Sequence, residues 1–391
     1  MRAIKMLLAA AFTLAAGPAA ADFAACVAGL ERQAVADGVP ATIAARAFEG
    51  AEPNERILRF STAQPEFVTP IWDYMAFLVD DERIADGRRM LASYGDLLER
   101  VERAYGVDRH VVLAIWGVES DYGRQTGGFF IPHAYATLIC AGNRRQDFWR
   151  GELMAALGLV VRGDLGLDEL QGSWAGAFGQ TQFIPSTYER LAVDFDGDDR
   201  RDLVRSIPDA LASTANYLDR AGWRTGAPWL IEVKVPPGYT GPSGRKAKAP
   251  LSSWANRGIV RADGAAIGGA GEAGLLLPAG AEGPAFLVFR NFDAIYSYNQ
   301  AESYALAIAH LADRIAGHPA LRTPWPTDDP GLSRDERRQL QELLLAAGYD
   351  IGEVDGRIGP ATRAGIRAAE QNLGLPVTGR GGQRILRALG G

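Results

Sequence analysis

The spacing of apolar residues predicts a mostly helical chain. Between residues 22 and 105 apolar side chains recur at intervals of three and four, as at Tyr94 and Leu98. This spacing places them on one face of an α-helix. The same period continues through glycine-rich turns over 106–228 and returns over 293–318. We therefore expect a helical subdomain at 22–105, followed by a longer helical core.

The period changes to two in the middle of the chain. Ile231, Val233 and Val235 alternate with charged residues, which is typical of a half-buried strand. Leu287–Phe292 reads as a second strand. Since glycine and proline are frequent between these two runs, the pattern predicts a small β insertion over residues 229–292.

A proline-rich segment then separates the end of the chain. Four prolines within residues 319–330 predict a stiff linker. Residues 331–391 show three short helical patterns, the first opening at Ser333, the second at Pro360 and the third carrying Ile385. So small a unit on such a linker is typical of a binding module. The fold class expected is mainly α, with a β insertion and a C-terminal three-helix module.

Composition excludes several classes of protein. The 391 residues carry a formal net charge of −6, with two cysteines and four histidines. An acidic balance argues against a nucleic-acid-binding protein. Two cysteines cannot build a disulfide scaffold or a Cys₄ zinc site, and scattered histidines argue against a histidine-rich metal centre.

The N-terminus predicts export. Two basic residues precede an apolar run, Met6–Ala16, and the small residues Ala19–Ala21 stand before Asp22. This is the pattern of a secretory signal peptide over residues 1–21. No later segment is apolar enough to cross a bilayer, so we expect a soluble exported protein.

Export gives the two cysteines a possible role. In an oxidising compartment Cys26 and Cys140 could form one disulfide. The sequence does not place them within bonding distance, so two buried thiols remain the alternative.

One carboxylate stands on an apolar helix face. Asp108 is a suitable N-cap, and the stripe through Ile115 and Trp116 reaches Glu119. Burial raises the pKa of a carboxyl group and keeps it protonated, as a general acid requires. Taken alone, this pattern favours a buried glutamate with a structural hydrogen bond.

A later segment suits a sugar ligand. Ser173–Ser186 combines small residues with aromatic platforms and neutral hydrogen-bonding side chains, among them Ser173, Gln180 and Gln182. Small residues permit close approach of the backbone. A glycine-rich corner between two helices is the alternative.

Three motifs together resemble the lytic transglycosylase B family, bacterial enzymes that cleave peptidoglycan. They are Ile115–Gly123, Ser173–Ser186 and Tyr298–Ala305, in the family's order, and the resemblance covers roughly residues 23–318. It implies a lysozyme-like helical core, formed by 106–228 and 293–318, with Glu119 at the catalytic position. The resemblance places Ser173, Gln182, Asn299 and Tyr304 in the substrate cleft. With Gln180 and Tyr298 from the same motifs, these are the predicted substrate-binding residues.

The resemblance also implies an activity. Glu119 would cleave the bond between N-acetylmuramic acid and N-acetylglucosamine and leave a 1,6-anhydromuramic acid end, with no required cofactor. The location would be the periplasm, the main partner peptidoglycan, and an unspecified wall-remodelling complex remains open. A hydrolytic muramidase and a non-catalytic wall-binding protein are the alternatives.

The C-terminal module resembles the peptidoglycan-binding type 1 domain. The resemblance is carried by Asp355–Arg363, with the sequence DGRIGPATR, and by Gly374–Gly379. It implies that residues 331–391 bind the cell wall.

An acidic segment resembles the start of a calcium loop. Asp194, Asp196 and Asp198 alternate as EF-hand ligands do, and some members of the family carry calcium here. Two positions depart from the loop, Asp199 at the turn glycine and Arg205 at the place of the bidentate glutamate. Asp202 or Asp209 could close the shell, and an acidic turn without a metal is the alternative.

Overall fold

The computed structural model describes residues 18–62, 69–141 and 145–390. Most of the predicted signal peptide, residues 1–17, lies outside the described residues. The described chain forms two compact units. The first contains the described residues up to Thr62 together with Gly127–Ala177 and Ile184–Glu189, and the second contains the remainder.

The first unit is helical and carries a disulfide. Cys26 and Cys140 are bonded, with their Cα atoms 5.8 Å apart. A two-stranded antiparallel ribbon pairs β1 (Phe129–Phe130) with β2 (Gln171–Gly172). The elements of this unit are α1 (Pro18–Ala36), α2 (Ala41–Phe48), α3 (Glu55–Ser61), β1 (Phe129–Phe130), α8 (Ile131–Cys140), α9 (Gln146–Arg162) and β2 (Gln171–Gly172), and α10 (Pro185–Leu191) begins in it.

The second unit is built around one buried helix. This helix, α7 (Arg109–Ser120), is apolar on nearly every side and packs against other helices of the core. A helix without a polar face has to be surrounded by other elements. The other helices of this core are α4 (Ile71–Leu78), α5 (Asp81–Ser93), α6 (Gly95–Tyr105), α11 (Ile207–Arg220), α13 (Arg290–Asn299) and α14 (Glu302–Ile315).

A five-stranded antiparallel sheet interrupts the helices, in the order β4-β6-β7-β3-β5. Its apolar face forms a small core with the short helix α12 (Leu251–Ala255), around Trp254 and Leu287. The strands are β3 (Leu230–Lys234), β4 (Ala249–Pro250), β5 (Val260–Arg261), β6 (Glu272–Leu276) and β7 (Ala285–Val288).

One predicted strand has different bounds. The sequence predicts a strand over Leu287–Phe292, but the strand ends at Val288 and α13 begins at Arg290. Phe292 and Ile295 recur at the helical spacing and are buried in the helical core instead. A continuous apolar run cannot by itself locate the change from strand to helix.

The C-terminal module consists of α15 (Arg334–Ala346), α16 (Pro360–Asn372) and α17 (Gln383–Gly390) around a core that includes Leu340 and Ile366. Ser333 and Glu336 form a capping box at the start of α15, and Pro360 is the first residue of α16. The prediction of a mainly helical chain with a small sheet and a helical C-terminal module is thus confirmed.

Among the described helices, none combines the length and the apolar character that crossing a bilayer requires.

Candidate active site

Glu119 lies in the last turn of α7. The Asp108 side chain accepts a hydrogen bond from the His110 amide at 2.8 Å and so caps the start of this helix. The residues from Val111 to Gly117 are buried, whereas Glu119 is only partly buried. The rigid core therefore holds this carboxyl group at the point where the helix emerges from it.

Tyr304 is the hydrogen-bond partner of Glu119. Its hydroxyl donates to Oε1 at 2.5 Å, from the first turn of α14, which packs along α7. Burial raises the pKa of Glu119 to about 7, while the hydrogen bond from Tyr304 acts in the lowering direction. Burial also raises the pKa of Tyr304 well above its usual value, so the phenol keeps its proton.

A second tyrosine forms an aromatic wall with Tyr304. The rings of Tyr298 and Tyr304 are nearly parallel, with centroids 6.3 Å apart. The Tyr298 hydroxyl donates to the Thr181 carbonyl at 2.7 Å, and its ring also contacts Tyr217. Two predicted residues from one motif thus lie beside the glutamate of another.

Gln180 connects to α7 through its interior contacts. Its side-chain oxygen accepts from Trp116 Nε1 at 2.9 Å, and its backbone carbonyl accepts from Ser120 Oγ at 2.5 Å. Its amide nitrogen donates to the Val204 carbonyl at 3.2 Å. Because these contacts engage both ends of the side chain, we interpret Gln180 as a support for the helix that carries Glu119.

Gln182 has an unusual backbone. Its φ of 53° lies in the left-handed region, and its amide nitrogen donates to the carbonyls of Thr126 and Gly179 at 3.0 and 2.9 Å. Both amide protons are therefore used within the protein. The side-chain oxygen is the part of Gln182 that remains for a ligand.

The other two predicted residues have different settings. Asn299 is exposed at the end of α13. Ser173 belongs to the first unit, where its hydroxyl accepts from the Ala177 amide at 3.1 Å and closes a tight turn.

The turn after Glu119 is conformationally restricted. Asp121 and Tyr122 have φ values of 53° and 58°, and Gly123 has φ 84°. A Cβ atom at Gly123 would lie 2.3 Å from Gln180 Oε1. Glycine is therefore required here both by the backbone and by the close approach of Gln180.

Sequence reasoning missed the contribution of Ser120. Its hydroxyl accepts from the Gly123 amide at 2.8 Å and donates to the Gln180 carbonyl. Ser120 therefore links the end of α7, the turn at Gly123 and the segment that contains Gln180. Ser120 follows Trp116 by four positions, and this spacing was the available signal that both face Gln180.

The acidic segment brings together Asp194, Asp196 and Asp209, with one oxygen of each within 4.8 Å of the others. Asp198 is not in this group, and its carboxylate accepts from the Arg200 amide. Asp209 also accepts backbone amides from Phe195 and Asp202 at 2.7 and 2.8 Å. Three hard oxygen donors at this separation fit a calcium ion.

Comparison with protein families decides what this arrangement is. The model described as "Transglycosylase SLT domain" matches residues 22–313. The chain belongs to this transglycosylase family. A second model, "Putative peptidoglycan binding domain", matches residues 333–389.

Individual relatives agree. The chain is 33% identical to membrane-bound lytic murein transglycosylase B of Escherichia coli over 269 residues, 68% of each protein. It resembles the solved structure of SltB3 from Pseudomonas aeruginosa in complex with NAG-anhNAM-pentapeptide, with 42% identity, a TM-score of 0.75 and coverage of 94% and 99% of the two chains.

A third structure is that of the Escherichia coli lytic transglycosylase Slt35 in complex with calcium. It has 29% identity and a TM-score of 0.65, and the match covers 76% of this chain and 93% of that one. The predictions of family, fold and activity are therefore confirmed, and the protein is a peptidoglycan lytic transglycosylase.

Tyr304→Phe should move the pH dependence of this transglycosylase upward. The hydrogen bond from Tyr304 lowers the pKa of Glu119, so its loss should raise that pKa above about 7. If Glu119 acts as an acid, the protonated form then persists to higher pH. The alkaline limb of kcat/KM, measured on a soluble glycan, should shift to higher pH.

Tyr298→Phe is the matched control, because its hydroxyl bonds Thr181 rather than Glu119. An alkaline limb that stays in place or moves down in Tyr304→Phe would contradict this account.

Proposed function

We propose that Glu119 is the general acid, and then the general base, of the transglycosylase reaction. The observation that carries this assignment is a half-buried carboxyl group with a pKa of about 7 at the end of a rigid helix, bonded to a neutral tyrosine. At neutral pH such a group is present in both protonation states, as a residue that gives and then takes one proton requires.

The reaction needs one proton in each direction. Protonated Glu119 donates its proton to the glycosidic oxygen as the bond from muramic acid C1 to that oxygen breaks. The carboxylate then takes the proton of the muramic acid C6 hydroxyl, whose oxygen bonds to C1. The products are an N-acetylglucosamine C4 hydroxyl and a 1,6-anhydromuramic acid end. Because the nucleophile belongs to the substrate, positioning supplies much of the rate.

The positioning residues of this proposal come from the motifs Ser173–Ser186 and Tyr298–Ala305. Tyr304 orients Glu119 through Oε1 and leaves Oε2 to carry the proton. The ring of Tyr298 and the side chains of Gln182 and Asn299 are proposed to hold the sugars. Ser173 is proposed to contact the sugars too, on the basis of the motif to which it belongs.

The setting of Asp121, the acidic residue nearest to Glu119 in sequence, favours this route over hydrolysis. Most glycosidases pair an acid with another carboxylate. Among the described residues, burial and Tyr304 account for the pKa of Glu119, with no carboxylate acting on it. Asp121, the nearest in sequence, is bonded to Arg124 and Arg334 at 3.0 and 3.2 Å and is therefore unsuited to a nucleophilic role.

Glu119→Gln should lower turnover by at least about a hundredfold, the scale of general acid catalysis. An amide cannot donate the proton, yet it preserves shape and can still accept from Tyr304. The measurement is mass spectrometry of digested sacculi, in which the wild type releases anhydro ends.

The products also separate the alternatives. Reducing ends would indicate a hydrolytic muramidase, and binding without release by the wild type would indicate a wall-binding protein. Anhydro products from Glu119→Gln at wild-type rate would exclude Glu119 as the acid.

We also propose that Asp194, Asp196 and Asp209 hold a structural calcium ion. The support is the convergence of their oxygens and the Slt35 structure with calcium. The ion would neutralise three carboxylates, of which Asp209 has a pKa raised by burial and by the charge of Asp196. It would stabilise the loop before α11 and take no part in the reaction.

Millimolar calcium should raise the thermal midpoint of the wild type relative to chelator, because an ion that binds only the folded state stabilises it. Asp196→Asn should reduce this rise, and the control Asp198→Asn should keep it. Equal midpoints with calcium and with chelator would contradict the site.

Finally, we propose that residues 1–21 direct export to the periplasm, where Cys26 and Cys140 are oxidised and residues 331–391 bind the wall. The disulfide supports this location, since such bonds persist in oxidising compartments. Assembly with other wall-remodelling proteins remains a prediction.

The exported protein should begin at Asp22 and contain no reactive thiol until it is reduced. Replacing both cysteines by serine should lower the free energy of unfolding by about 2–5 kcal/mol, the range for a native disulfide. N-terminal sequencing gives the first residue, thiol labelling detects free cysteines, and urea unfolding measures the free energy of unfolding. A periplasmic protein that retains residues 1–21 or two free thiols would contradict the proposal.

A further inference from the structure

The C-terminal module contacts the turn that follows Glu119. Arg334, the first residue of α15, places Nη2 at 3.2 Å from Asp121 Oδ1. Arg357 donates to the side-chain oxygen of Gln125. Two arginines of the predicted wall-binding module thus hold the two ends of one turn, residues 121–126, which we call the acid turn.

The contact with Asp121 is nearly buried. The side chain of Arg334 is 13% exposed and that of Asp121 is 10% exposed. A surface ion pair contributes little, but removing one partner of a buried pair leaves an uncompensated charge. Arg334 also bonds Glu82 at 3.2 Å, and Arg338 bonds the same carboxylate at 2.9 Å. The module is therefore fixed to α5 as well as to the acid turn.

The catalytic region supplies the other contacts of the acid turn. Arg124 bonds Asp121 at 3.0 Å and also contacts Asp86. Burial acts to raise the pKa of Asp121. The charges of Arg124, Arg334 and Arg83 outweigh this effect, so the pKa is lowered. Asp121 therefore remains charged, and the module provides one of the three cations around it.

The acid turn contacts the end of α7 and the segment that carries Gln180 and Gln182. The Gln125 amide donates to the Ser120 carbonyl at 2.8 Å. The Thr126 carbonyl accepts from Gln182 at 3.0 Å, and Gly123 lies against Gln180. A displacement of this turn would move Gln182 and the end of the helix that carries Glu119.

We propose that Arg334 and Arg357 make the C-terminal module a positioning element of the active site. Through the acid turn they fix the end of α7 and the orientation of Gln182, so the module contributes to turnover as well as to wall attachment. This inference rests on the proposed role of Glu119.

The alternative is a module that only anchors the enzyme to the wall. Loss of an anchor lowers activity on sacculi and leaves turnover of a small soluble glycan unchanged. Loss of positioning lowers kcat on that glycan as well, since small misplacements near reacting groups are costly. The two roles therefore differ in kcat on a substrate that does not need an anchor.

The experiment compares full-length Arg334→Ala and Arg357→Ala with the wild type on a soluble GlcNAc-MurNAc tetrasaccharide without stem peptides. Arg334→Ala should lower kcat by about ten- to a hundredfold, the scale of a displaced site. KM and pelleting with sacculi should change little. Arg357→Ala should show a smaller loss of kcat.

Arg384→Ala is the matched control. This arginine lies in the same module, is 38% exposed and pairs with Asp328. It should keep wild-type kcat. In a double-mutant cycle of Arg334→Ala with Asp121→Asn, the two losses of kcat should not multiply, because each change removes the same ion pair.

Wild-type kcat in a folded Arg334→Ala variant, or an equal loss in Arg384→Ala, would overturn the proposal. If Arg334→Ala fails to fold by circular dichroism, Arg357→Ala decides, and wild-type kcat in that folded variant would overturn the proposal. Glu119→Gln is assayed in parallel. Its retained activity would count against the catalytic assignment alone, whereas the arginine variants report on the module.

Discussion

The hydrogen bond between Tyr304 and Glu119 is the interaction on which the rest of the site depends. A carboxyl group at the end of an apolar helix loses hydration, which raises its pKa to about 7. A tyrosine whose own pKa is raised can donate to it without becoming charged. The packing of α7 against α14 brings these two groups within 2.5 Å, so the proposed role of Glu119 as an acid depends on the rigidity of the helical core.

The surroundings of this pair explain why neutral side chains dominate the site. Trp116 and Ser120 bond Gln180, and Tyr298 bonds the Thr181 backbone, so each contact fixes a position without adding a charge beside Glu119. A nearby anion would raise the pKa of Glu119 further and an arginine would lower it. The charged residues Asp121 and Arg124 lie instead in the acid turn, where they neutralise each other.

Local pattern was enough to predict the helix that carries Glu119 and the motifs that surround it. The cap at Asp108 and the stripe from Ile115 to Glu119 depend only on neighbours in sequence. The strand predicted over Leu287–Phe292 ends at Val288, and the apolar run is divided between two cores. Leu287 and Phe289 pack in the sheet core, whereas Val288 and Phe292 pack in the helical core. The sequence offered Asp209 as one of two residues that could complete the calcium shell, and the tertiary fold brings it to Asp194 and Asp196. Arg334 meets Asp121 only through the tertiary fold, and no spacing along the chain could single it out.

Contacts within the protein also change how the arginines of the C-terminal module should be interpreted. The module from residue 331 is rich in arginine, which would suggest attraction to anionic peptidoglycan. Several of these arginines are engaged within the protein: Arg334 and Arg338 with Glu82, and Arg380 with Asp73 at 2.5 Å. Arg337 is buried and donates to the Gly356 and Leu332 carbonyls. Paired charges attract a distant polymer weakly, and salt screens what remains. The wall recognition proposed for this module is therefore expected to depend more on shape and hydrogen bonding than on net charge.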